Sequence, residues 1–120
     1  MTKYTRLFIE ESRVYIPGIA AILARLRAGC PEELDVREGQ RLAHSIKGMA
    51  LFEEQPGVAA LTWAMERGFE RLRGECPGDG LADSLEAALP LLSRMIDEVE
   101  SAGSGLTDPA AAVAAIESRL

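Results

Sequence analysis

Apolar residues recur along this chain at intervals of three and four, the spacing that lines one side of an α-helix. Phe8, Ile9, Ile16, Ile19, Ile22, Leu23 and Leu26 form one such stripe and predict a first helix from about Arg6 to Ala28. Pro17 falls inside it, where it removes a backbone donor and crowds the preceding turn, so a bend near Tyr15 to Gly18 or a split is expected. Gly29-Cys30-Pro31 then closes the segment with a residue that tolerates a left-handed backbone, followed by a helix breaker. A second helix is expected from about Asp35 to Phe52. Pro56-Gly57 interrupts the pattern, and Val58, Leu61, Met65, Phe69 and Leu72 mark a third helix ending near Gly74. Glu75-Cys76-Pro77-Gly78-Asp79-Gly80 reads as a loop. A fourth helix follows from about Leu81 to Ser101, with Leu81, Leu85, Leu89, Leu92, Ile96 and Val99 on one side and Pro90 as a second expected kink.

Four amphipathic helices with short connections make an all-α, up-and-down four-helix bundle the economical architecture. Beyond Gly103-Ser104-Gly105, Asp108 caps a short alanine-rich helix opened by Pro109 and running to Leu120. Its stripe of Val113 and Ile116 is thin, and docking on the bundle, joining a partner and leading into a further domain all stay open. The expected organisation is a bundle over 1–103 and a linker with a short helix over 104–120.

Composition agrees with helices and narrows the partners. Apolar residues make up 48% of the 120, enough for one core, while aromatics are only 5% and asparagine is absent. The formal charge of −6 opposes phosphate backbones and anionic lipid, so neither nucleic acid nor membrane is an expected partner. No apolar run approaches the roughly 20 residues needed to span a bilayer, and Glu10 and Glu11 follow the N-terminus in place of a signal-peptide core, so a cytoplasmic location is expected. Cys30 and Cys76 each precede a proline between helices and are read as reduced thiols; with one histidine they lack metal-ligand spacing.

The single histidine lies on the second helix. At about 100° per residue from His44, Leu42, Ile46 and Met49 fall at about 160°, 200° and 140°, on the opposite side. Gln40, Arg41, Lys47 and Gly48 fall within about 60° of it, which puts the imidazole on a polar face with a cation one turn away on either side. Gly48 removes side-chain bulk there at a helix-interior cost of roughly 1 kcal/mol, as if something large and anionic had to approach. Packing of Gly48 against a neighbouring helix, and an incidental histidine on a solvated face, are the plainer alternatives.

Leu42-Ala43-His44-Ser45-Ile46-Lys47-Gly48 resembles the phosphoacceptor motif of histidine-phosphotransfer (HPt) domains, particularly the N-terminal domain of CheA-type chemotaxis kinases. Phe8-Ile9-Glu10-Glu11-Ser12-Arg13 is similar to the first helix of that family and Ala64-Met65-Glu66 to the end of its third-helix motif, so the likeness runs from about residue 6 to 101. The resemblance implies that His44 accepts a phosphoryl group, that Glu66 supports the imidazole and that Lys47 lies near the phosphoryl oxygens. A carboxylate holding the Nδ1 proton would leave Nε2 with a bare lone pair and offset the charge that develops on attack. Without the resemblance, Glu66 reads as an exposed helix residue paired with Lys47 or an arginine, and Lys47 as a surface cation. Trp63 stands where relatives often carry a second histidine, and Met49–Pro56 replaces their usual glycine-rich turn. Trp63 is then either a docking surface or a partly buried packing residue.

The implied role is that of a phosphoryl carrier, a substrate of a histidine kinase catalytic domain or a response-regulator receiver, and not itself an enzyme. No glycine-rich nucleotide loop and no acidic magnesium cage is present, so no cofactor is expected and metal and positioning groups are the partner's. The rivals are a helical adaptor whose histidine is no longer phosphorylated and, less favoured, a hydrolase with His44 as general base. The latter lacks a Ser or Cys nucleophile in a recognisable motif. Because the chain encodes four helices by itself, a monomer is expected.

Overall fold

The computed structural model describes residues 1–29, 32–72 and 80–120, in which five α-helices and no strand are found: α1 (Lys3–Ala28), α2 (Glu33–Phe52), α3 (Pro56–Arg71), α4 (Leu81–Ala102) and α5 (Ala110–Glu117). Cys30, Cys76 and nearly all of the loop expected over 75–80 lie outside the described residues, as does the expected end of α3 at Gly74. None of the helices is long and apolar enough to cross a membrane.

The first helix begins at Lys3, three residues before the expected start at Arg6, because Thr2 caps it, its side chain accepting from the Thr5 amide at 3.1 Å. It then runs unsplit through Pro17 to Ala28. Gly29 ends it with φ −174°, an extended conformation that makes no use of glycine's left-handed freedom. Pro90 likewise sits inside an unbroken α4. At the end of α2, the Gln55 amide reaches back to the Ala50 carbonyl at 2.8 Å and the Glu54 amide to Leu51 at 3.2 Å. This is a Schellman cap with Glu54, φ 56°, in the left-handed position that glycine usually fills. The Met49–Pro56 segment therefore closes α2 with backbone strain at one residue, Glu54.

Cross-helix pairs show how the rods run. Arg25 bonds Asp35 and Thr5 bonds Glu53, so α1 and α2 are antiparallel. Arg13 forks onto Asp97 and Glu100 while Arg27 forks onto Asp83 and Glu86, which sets α1 antiparallel to α4. Gly39 lies against Phe69 in α3, and Gly68 and Gly57 of α3 lie against Leu85 and Met95 of α4, closing an up-and-down ring. Phe8, Ile19, Leu23, Ile46, Leu61, Met65, Phe69, Leu85 and Leu92 fill its axis. Each such side chain contributes about 1.5–3 kcal/mol, whereas the half-exposed arginine forks chiefly fix register.

The fifth helix docks on α3 and α4, with Ile116 fully buried in the common core. Its connection is fastened on both sides. Gln55 donates to the Gly103 carbonyl and accepts from the Gly105 amide, and the Glu98 carboxylate takes the amides of Leu106 and Thr107 at 2.9 Å. Asp108 accepts from the Ala110 amide at 2.9 Å, as an N-terminal cap does.

Candidate functional site

The expected stripe on α2 is the side that meets the core: Leu42 and Ile46 are buried, with Ala43 and Ala50, and Met49 packs at its edge. His44 is carried to the opposite side, where its side chain is 66% exposed. One carboxylate meets it. Because α2 and α3 are antiparallel and packed along their length, Glu66 faces His44 across the groove between them, with Nδ1 2.9 Å from Oε2 and 3.1 Å from Oε1.

Glu66 also accepts from Lys47 Nζ, at 3.0 Å to Oε1. The side chains of Glu66 and Lys47 are only 13% and 20% exposed, so the anion is shielded from water beneath an imidazole that is not. Burial pushes the Glu66 carboxyl up, but the hydrogen bonds from His44 and Lys47 and the Lys47 charge outweigh it, and the net direction is down. The carboxylate is therefore ionised at neutral pH. An ionised carboxylate only accepts, so the proton in the His44–Glu66 bond sits on Nδ1, and in the neutral ring the lone pair is left on Nε2.

Gly48 faces open space. A Cβ built on it would meet nothing within 4 Å, so packing against a neighbouring helix does not explain it. The contrast with Gly39 on the same helix is direct, since a Cβ there would come within 2.5 Å of the Phe69 ring. Arg41, read from the sequence as a cation beside the histidine, is instead held by Glu38, with Nη2 2.6 Å from Oε1. Only Lys47 of the two flanking cations joins the histidine and the carboxylate.

Trp63 is 53% exposed, which decides against a packing role. It stands one turn before Glu66 on α3 and, with Lys47, Leu51, Pro56 and Ala60, lines an open and almost wholly apolar groove of about 420 Å³. The Arg67 guanidinium lies over its ring, 4.7 Å from the centroid, and donates to Glu117 of α5 at 3.0 Å. The sequence reading missed this contact. The four-residue spacing of Trp63 and Arg67 was the available signal for the first half of it; nothing in the sequence places Glu117 nearby.

Comparison with known proteins bears on the same residues. The family model described as Hpt domain matches residues 3–102, which is all of the bundle and none of α5. The chain is 29% identical over 99% of its length to the chemotaxis protein CheA of Listeria monocytogenes serovar 1/2a, and equally to that of Listeria innocua serovar 6a. It spans only 20% of the length of these curated relatives. No solved structure matches it. With a match across the four helices that present His44, Glu66 and Lys47 together, this chain belongs to the Hpt domain family.

Proposed function

We propose that the chain is the phosphoryl carrier of a two-component relay, taking the group on Nε2 of His44 from a kinase catalytic domain or a receiver aspartyl-phosphate and passing it on. The observation that carries this reading is an imidazole standing in solvent with its other nitrogen on a shielded carboxylate. The Nε2 lone pair forms the bond to phosphorus while the bond to the departing oxygen breaks, leaving ADP or an aspartate carboxylate. The ring becomes positively charged with its proton still on Nδ1, and Glu66 offsets that charge. On donation the P–N bond breaks and its electron pair returns to Nε2. No proton has to move in either direction, so the domain needs no acid or base beyond the carboxylate already in place.

In this reading Lys47, one turn from His44, shares its ammonium between Glu66 and the arriving phosphoryl oxygens. Gly48 leaves the approach clear. The partner supplies metal and in-line positioning, so the domain is exchanged upon and catalyses nothing alone. It acts as a monomer, with 1–103 as the carrier and 104–120 as a docked extension.

The test is to incubate the chain with an active histidine kinase catalytic domain and ATP, or with a phosphorylated receiver. An acid-labile, alkali-stable label that disappears in His44→Gln is expected. Receiver binding without any label would make the chain an adaptor, and turnover of a small ester would make it a hydrolase.

A further inference from the structure

The family match ends at residue 102, yet the last helix reaches the neighbourhood of the acceptor. Glu117 holds Nη2 of Arg67 at 3.0 Å, and that guanidinium lies over the Trp63 ring. Nε of Arg67 is buried with no hydrogen-bond partner among the described residues, so the group is oriented by its carboxylate and by the indole. Trp63 in turn walls the apolar groove whose other side is Lys47. Lys47 belongs to the groove and to the His44–Glu66 cluster alike, so the groove adjoins the acceptor cluster. The seat of α5 has supports other than Glu117: Ile116 is buried, and Gln55 and Glu98 fasten the connection.

We propose that Glu117 and Arg67 are positioning residues by which the C-terminal helix fixes the Trp63 wall of the groove, where the phosphoryl-exchanging protein seats an apolar side chain. A rigid indole is a favourable docking wall because it presents a large surface with little entropy left to lose, and a stacked arginine removes what motion remains. The inference rests on the carrier reading for the identity of the occupant, but the clamp itself is read without any partner.

Trp63 is the one tryptophan of the chain, so its fluorescence reports the wall alone. In the 120-residue protein, Glu117→Gln should lower the anisotropy of Trp63 and raise its quenching by acrylamide, with helix content unchanged. Unchanged fluorescence would overturn the clamp. With a chemotaxis receiver charged by acetyl phosphate as donor, Glu117→Gln should raise KM by up to about fivefold, the range of one half-exposed ion pair, with kcat held. Trp63→Ala should raise KM at least as far. Labelling of His44 by phosphoramidate, a donor too small to need the groove, should be the same in Glu117→Gln and wild type. An equal loss with both donors would mean that Glu117 acts through the imidazole, and an unchanged KM would mean that the wall is not used; either result rejects the proposal. If wild type takes label from neither donor, the carrier reading fails, while the fluorescence result still judges the clamp.

Discussion

At the scale of single residues, the proposed carrier relies on the Glu66 carboxylate to direct an exposed histidine chemically. Its charge and hydrogen-bonding capacity are divided between His44 and Lys47. Glu66→Gln keeps the size of the group but no longer forces the proton onto Nδ1, and should slow phosphoryl acceptance roughly ten- to hundredfold, as loss of an imidazole-orienting carboxylate does elsewhere. The carboxyl itself should titrate below the ordinary glutamate value of 4.5 in a carbon-13 NMR experiment. In Lys47→Met that midpoint should move upward, because burial is then opposed by His44 alone. The sign for stability follows: a folded-state value below the unfolded one stabilises the fold above the unfolded value, and this contribution is lost as pH falls through the folded value. The shared face of His44, Lys47 and Gly48 was legible in the sequence because three positions on one helix fix one another's directions. Glu66 required a second helix, and only the family likeness identified it; periodicity alone leaves the rotation of α3 against α2 undetermined.

Among the elements, α2 carries two glycines with opposite meanings. Gly39→Ala drives a methyl group into the Phe69 ring and should cost about 1–3 kcal/mol in a denaturant titration, since that ring is fully buried and cannot retreat. Gly48→Ala meets open space and should gain roughly 0.5–1 kcal/mol from helix propensity while slowing transfer from a protein donor. No pattern in the chain separates them, because the distinction lies in what the neighbouring helix places opposite. The cap of α2 offers a third site. Glu54→Gly relieves a left-handed glutamate and should stabilise by about 1 kcal/mol. Helix number and the buried stripes were readable from apolar spacing alone; of the bend or split expected at Pro17 the split does not occur, and α4 likewise runs on through Pro90, because long helices packed along their whole length retain their continuity through one missing hydrogen bond.

For the whole molecule, burial of Ile116 joins α5 to the core shared by the four long helices, so the chain should unfold in one transition. Ile116→Ala should lower its stability by about 2–5 kcal/mol without dividing that transition. The sequence left the place of this helix open because two apolar residues are too few to choose a surface; its seat is decided by Gln55 and Glu98, residues that look like ordinary surface polars until the chain is folded. In the proposed carrier the bundle is a rigid frame that sets an α2 nitrogen against an α3 carboxylate and leaves one ring nitrogen to react. Phosphorus–proton correlation NMR of the labelled chain distinguishes the two nitrogens. A single phosphorus coupled to the His44 ring through Nε2 is expected; phosphorus on Nδ1, or on any other residue, would contradict the carrier mechanism at its root.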